Sequence, residues 1–270
     1  MKARLNARSV VALTSVLALA ITGAVAVPAH AARTTVIVEE SNTLTSLNSG
    51  TPDNNITINS DIAYMTGMSL WHYDNQTNIV PNTVLGSYKI TKNKPTDFET
   101  TWTINPGRVW SDGTPITAED LMLGVVLNSS KYSIKAGLGD PNDEKNPPAF
   151  NSISYGGTLD NHIVGLPVVS ADKMSVTLKF DAPIPNWDLY GPGVSPVHTL
   201  VALANGKTSL LSSSEATAAK AAFLKAVTSY DTATLKKYAK VAKGSGMNAK
   251  TKAGSFRPVR LGTVLLSPAC

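Results

Sequence analysis

A lone cysteine, Cys270, ends a chain of 270 residues. That excludes an internal disulfide and any metal site built from several thiolates. Histidine is nearly as scarce, with His30, His72, His162 and His198 the full set. The chain holds neither a G-x-S-x-G elbow nor an H-E-x-x-H helix, so the signatures of the common serine hydrolases and zinc peptidases are missing. No cluster of Lys and Arg interleaved with aromatics appears in the body of the chain, which argues against a nucleic-acid partner. What is abundant is ordinary: 43% apolar and 16% charged residues suit a globular core rather than disorder. No catalytic residue, cofactor or metal ligand is expected. Asp140, Asp143 and Glu144 invite a calcium reading, but their spacing departs from the twelve-residue EF-hand loop and fits a solvated acidic loop over 137–148.

The N-terminus reads as an export signal. Lys2, Arg4 and Arg8 precede a run over 10–27 that is mostly Ala, Val and Leu, and Ala29-His30-Ala31 offers a small-x-small cleavage site before Ala32. An uncleaved anchor is the competing reading, weakened by Thr14, Ser15, Thr22 and Gly23 within the run. Removal of the three basic residues lowers the formal charge from +5 to +2.

The stretch 101–120, TWTINPGRVWSDGTPITAED, organises the rest. Trp102 and Ile104 alternate as in a half-buried strand. Asn105-Pro106-Gly107 breaks the run, Arg108-Val109-Trp110 forms a second short strand, and Ser111-Asp112-Gly113 turns it. Thr117 stands ahead of Ala118-Glu119-Asp120 at capping-box spacing, so a helix starts at Ala118 and runs to about Asn128.

The segment 110–121, WSDGTPITAEDL, closely resembles the signature of the family 5 solute-binding proteins, which serve ABC importers of dipeptides, oligopeptides and nickel. A second resemblance covers 168–185, VVSADKMSVTLKFDAPIP, where Val176, Leu178 and Phe180 alternate with polar residues. Leu47-Asn48-Ser49, Ile79-Val80-Pro81 and Pro196-Val197-His198 also match family positions, and the likeness extends over about 34–241. Family members are about twice this length, so the resemblance implies an incomplete first lobe of a type II periplasmic-binding-protein fold, an α/β chain with a mixed (α+β) sheet. It further implies an extracytoplasmic subunit, a monomer, that binds peptides or a similar polar solute between two lobes and delivers it to an ABC permease. Relatives often carry a lipobox cysteine after the signal. None is present here, and location in the periplasm or cell exterior without a lipid tether is the expectation. The chain divides into a signal over 1–31, a lobe over 32–242 and an atypical basic tail over 243–270.

Around that motif the sequence suggests a strand over 34–39, a polar loop over 41–55, a helix within 59–71, a turn at Tyr73-Asp74-Asn75, a strand over 84–90 and a strand-like run over 150–157. In the family the loop after the first strand borders the ligand cleft, so Thr51, Pro52, Asp53 and Asn54 are candidate ligand contacts; an ordinary surface loop is the other reading. Tyr155 is either a ligand-facing aromatic or a core tyrosine. His198 has no Ser, Asp or Cys in motif relation to it and reads as structural or capping. Helices are expected over 214–230, capped by Ser214 with Ala222, Phe223, Ala226 and Val227 inward, and over 231–242, capped by Asp231 with Leu235, Tyr238 and Val241 inward. They should form a hairpin packed on the sheet. A secreted hydrolase and a non-functional fragment remain the alternative classes.

Overall fold

The computed structural model describes residues 42–46 and 48–245. The signal segment, the strand expected over 34–39, Leu47 and the tail beyond Ser245 lie outside the described residues. Ten residues, Thr57–Thr66, form helix α1, and a small antiparallel hairpin follows from β1 (Trp71–Tyr73) and β2 (Ile79–Pro81). Asp74 closes its turn by accepting from the Gln76 and Asn78 amides at 2.8 Å each, which agrees with the turn read at Tyr73-Asp74-Asn75. Strands β3 (Gly86–Lys94), β4 (Asp97–Ile104), β5 (Val168–Val169) and β6 (Ser175–Phe180) make a four-stranded sheet in the order β3-β4-β6-β5. All three pairings are antiparallel. Mixed helices and antiparallel sheets are therefore the architecture of the described residues.

Alternation decides which way each strand faces. In β4 every second residue is buried, namely Phe98, Thr100, Trp102 and Ile104, and in β6 the buried set is Val176, Leu178 and Phe180. Register sets Phe98 opposite Phe180 and Trp102 opposite Val176, so the two apolar rows merge into one face. The opposite face carries hydroxyls that bond across strands, Thr101 to Thr177 at 2.9 Å and Thr103 to Ser175 at 2.8 Å.

Helix α2 (Ala118–Leu127) covers the apolar face. Ala118, Leu121 and Val125 join the sheet core, while Met122, Leu123 and Val126 point the other way into a second core. A helix apolar on both sides has to be sandwiched. Its outer partners are α5 (Val197–Ala204), α6 (Ser213–Thr228) and α7 (Thr232–Lys240), with short helices α3 (Ser130–Lys135) and α4 (Thr158–His162) completing the connection to β5.

Several local expectations are corrected. The strand expected over 84–90 is displaced to Gly86–Lys94, and the first helix begins at Thr57. The run 108–110 gives a single bridge, Val109 to Pro115, instead of a strand. Residues 150–157 form turns, because Tyr155 and Gly157 bond back to Ser152 and Ser154 rather than to a neighbouring strand. Ser212, not Ser214, caps α6, since Glu215 stands three residues after it and bonds the Ser212 amide at 2.8 Å. Ala222 is exposed, and the α6–α7 hairpin packs on α5 and α2 rather than on the sheet.

Trp102 anchors the sheet core at 1% exposure, stacked on Tyr88 at 4.5 Å with Trp187 edge-on at 5.9 Å. Gly191 lies against the six-membered ring of the indole, and a Cβ there would overlap that ring. Gly191→Ala is expected to cost about 1–3 kcal/mol by overpacking, seen as a Tm lowered by several degrees in a circular-dichroism melt. An unchanged Tm would show that the ring has room to shift.

Candidate functional site

The 110–121 stretch folds as a corner leading into α2. The Trp110 amide donates to the Thr114 carbonyl at 2.8 Å and the Gly113 amide to the Trp110 carbonyl at 2.9 Å. Gly113 supplies φ +85°, a conformation natural to glycine. Asp112 accepts from the Thr114 amide at 2.9 Å, and the Ile116 amide returns to the Arg108 carbonyl at 2.8 Å. Asp120, at the third position of α2, accepts from the Thr117 amide at 3.0 Å, the carboxylate half of a capping box.

Asp120 is also the centre of a buried ionic cluster. Its carboxylate accepts from Trp110 Nε1 at 3.2 Å, from the Val197 amide at 3.1 Å and from Lys220 Nζ. Lys220, 5% exposed, uses its other two protons on the Pro115 carbonyl at 2.6 Å and Thr117 Oγ1 at 2.9 Å. Burial pushes the Asp120 carboxyl above its ordinary range, against the opposing pull of the Lys220 ammonium and the donors around it. The lysine sits on the inward stripe of α6 between Ala216, Ala219, Phe223 and Ala226. A charge on an apolar stripe was the signal in the sequence that pointed to a buried partner, and the expectation passed over it.

A second pair ties the same corner to α5. His198, 1% exposed, faces Asp112 Oδ2 through Nε2 at 2.9 Å, and its ring lies 6.3 Å from that of Trp110. A carboxylate only accepts, so Nε2 carries the proton. Nδ1 is buried with no hydrogen-bond partner. A histidine acting as base toward a nucleophile needs a hydroxyl or thiol at that nitrogen, and this one has none. Thus His198 holds the corner in place, consistent with the structural role expected of it. Its partner was missed because the two residues lie 86 positions apart.

The candidate ligand contacts lie elsewhere. Thr51 is buried and accepts from Asn54 Nδ2 at 2.9 Å, while Pro52 and Asp53 are exposed in a short 3₁₀ turn, Pro52–Asn54. Asn59, fully buried, wires the loop: its Oδ1 accepts from the Thr45 and Ser46 amides at 3.0 and 3.2 Å, and its Nδ2 donates to the Asn54 carbonyl at 3.0 Å. Asn48 and Asn54 donate to the Ala242 and Lys243 carbonyls, so the loop is fastened to the end of α7. The Ile153 amide donates to the Gly50 carbonyl at 3.0 Å, which brings the segment bearing Tyr155 to the same loop. Tyr155 is half-buried with its hydroxyl in the interior near Ser133, and burial pushes the phenol up to about 12 against the opposing pull of Ser133. Among the described residues no group of His, Cys, Asp and Glu is arranged to hold a metal ion. Asp140 and Asp143 instead cap their own turns, accepting from the Asn142 and Lys145 amides at 2.8 and 3.0 Å. No described helix is long and apolar enough to cross a membrane.

No protein-family model and no curated protein matches the chain. Solved structures do. The chain is similar to the periplasmic EDTA-binding protein EppA, at 19% identity and TM-score 0.48 over 60% of this chain and 27% of that one. It is similar to the pheromone receptor PrgZ, at 21% identity and TM-score 0.38 over 65% and 33%. A third similarity is to the oligopeptide-binding protein of Thermus thermophilus in complex with a pentapeptide, at 18% identity and TM-score 0.37 over 76% and 30%. This chain thus spans at most about a third of each of those proteins.

Lys220→Met leaves Asp120 buried and without its cation. The expected loss is about 3–5 kcal/mol in urea unfolding, with part of it regained in the Lys220→Met/Asp120→Asn double variant. Equal stability of the single variant and the wild type would dismiss the cluster as a determinant of the fold.

The Asp112 carboxyl is held below its ordinary range: burial works against this, but the Thr114 amide and His198 outweigh it. Its folded value lies below its unfolded one, so its stabilisation is complete above the unfolded value of about 3.9 and is lost as pH falls through the folded one. The urea midpoint of Asp112→Asn should therefore lie below that of the wild type at pH 6, with the gap closing as the pH is lowered toward 2. A gap independent of pH would contradict the assignment.

Proposed function

We propose that this chain is the first-lobe part, over 32–242, of an exported solute-binding protein of an ABC importer. One observation carries the reading. The segment whose sequence resembles the family signature, 110–121, folds as a bridged turn and a capped helix in which Asp112, Thr117 and Asp120 are all engaged internally. Such a motif builds a lobe and leaves recognition to loops.

Capture by two lobes needs both. Closure of one lobe on the other by hinge motion buries the solute, and the closed form then docks on a permease. In this reading the ligand face of the first lobe is the loop bearing Thr51, Pro52, Asp53 and Asn54, together with the Tyr155 segment fastened to it. Thr51 and Asn54 hold the loop's shape, and Pro52 and Asp53 present its exposed surface. Small polar solutes, peptides first among them, are the ligand class. The protein acts as a monomer in the periplasm or cell exterior, released after cleavage before Ala32.

A first lobe by itself supplies half of such a site, so the affinity of residues 32–242 tested alone is low. Titration of the isotopically labelled chain with short peptides should shift the amide resonances of Asp53, Asn54 and Tyr155 with a Kd near or above about 1 mM. EDTA serves as a second probe. Micromolar binding would show that the chain needs no second lobe, and shifts confined to other residues would remove the loop from the site.

A further inference from the structure

Strand β3 lies at one end of the four-stranded sheet and, among the described residues, pairs with β4 alone. The register shows which of its backbone groups face outward. The Asn105 amide donates to the Leu85 carbonyl, and the amide of Ile104, the residue opposite Gly86, turns the other way to the Met174 carbonyl. Direction alternates along an antiparallel ladder, so Ser87 and Lys89 bond to β4 while the amides and carbonyls of Tyr88 and Ile90 point away from it. The Gly86 amide is taken by the Asn82 carbonyl at 3.1 Å, which leaves the Gly86 carbonyl facing outward. A bulge between Ile90 and Lys92 breaks the register, so the regular edge ends at Ile90. Two rows of side chains flank it. Ser87 and Lys89 are exposed on the hydroxyl-bearing face; on the other, Ile90 is 36% exposed and Tyr88 half-buried. Lys89 takes part in none of the ion pairs among the described residues, whereas Lys92, beyond the bulge, is held by Asp97 and Glu99.

We infer that the edge over 86–90 docks an extended segment of another polypeptide in which acidic residues alternate with apolar ones, added as a further antiparallel strand. Outward amides and carbonyls at Tyr88 and Ile90 ask for backbone partners at strand spacing, which an extended chain supplies and a nucleic acid or lipid headgroup does not. Charge and period then select its side chains. An acidic residue opposite Lys89 and apolar residues beside Tyr88 and Ile90 complement both rows at once. A second copy of β3 does not, because two-fold pairing within this window sets Lys89 opposite or diagonal to the Lys89 of the other strand, where like charges are destabilising. No residue proposed to contact solute lies on this edge, so the two sites are read from different resonances.

The test is titration of the isotopically labelled full chain with acetyl-Val-Glu-Val-Glu-Val-amide and with the same peptide carrying Lys in place of Glu, followed at the Tyr88 and Ile90 amides. The acidic peptide should shift both resonances, slow their exchange with solvent and bind at least about threefold tighter than the lysine peptide. Lys89→Glu should reverse that preference, and Lys94→Gln, beyond the bulge, should leave it as in the wild type. Methylation of the acidic peptide on the alternate backbone nitrogens that face β3 should abolish binding, since the ladder loses its donors. Both substituted lysines are exposed, so a circular-dichroism melt should show unchanged folding. Four results would overturn the assignment: no shift at Tyr88 and Ile90 with about 10 mM acidic peptide, equal affinity for the two peptides, undiminished binding of the methylated peptide, or a dimer of the free chain that the acidic peptide dissociates. The last would reassign the edge to a second copy.

Discussion

The contact between Lys220 and Asp120 joins residues 100 positions apart and, through its satellites, four parts of the chain. Asp120 engages the corner through Trp110 and Thr117, and α5 through the Val197 amide; its own carbonyl accepts from the Ser195 amide at 2.9 Å. Lys220 brings in α6 and also satisfies the Pro115 carbonyl. An isolated charge buried this deeply would be strongly unfavourable, and here each of the three ammonium protons has an acceptor. The cluster tolerates little variation in geometry, which is why it specifies one arrangement of α2, α5 and α6 more sharply than apolar contacts could.

From that constraint the layering follows. Helix α2 must lie with Leu121 and Val125 on the sheet and Met122 and Val126 toward the helices, because Asp120 fixes its rotation at the first turn. The outer core then closes by means that depend less on direction. Phe223 packs near Tyr238 at 6.2 Å, and the Tyr132 hydroxyl donates to the Val227 carbonyl at 2.9 Å, carrying α3 to the end of α6. His198 and Asp112 add a second tie between corner and α5, so the Asp112 side chain, which a linear reading would place in solvent, is largely buried.

Legibility in the sequence tracked the range of the interactions. The alternation of β4 and β6, the start of α2 and the cap of α7 at Asp231 were readable because each depends on residues within a few positions. Residues 150–157 were misread as strand-like because Phe150, Ile153 and Tyr155 suit a pleat, while Ser152 and Ser154 bond locally and curl the backbone. The 108–110 run failed as a strand for a related reason: Asp112 and Gly113 turn the chain so soon that a single bridge is all that fits. Ionic partners at long range left a fainter trace, a lysine on an apolar stripe. The placement of the α6–α7 hairpin on helices rather than on the sheet left none, since an inward stripe does not name what covers it.

The loop over 48–54 illustrates what such a scaffold can do for recognition. Its backbone is organised by Asn48, Asn54 and Asn59, whose amide groups bond within the loop and to its surroundings. Side chains that shape a loop cannot also be released to grip a solute without undoing it. If the loop recognises a solute as proposed, the groups left outward are the Asp53 carboxylate and the Pro52 ring, on a loop whose conformation is set by its own hydrogen bonds. Order established in advance lowers the entropy lost on binding. It also links the loop to where the described chain ends, since Asn48 and Asn54 hold the Ala242 and Lys243 carbonyls. A change in the direction of the backbone at 242–243 would have to break those two bonds or carry the loop with it.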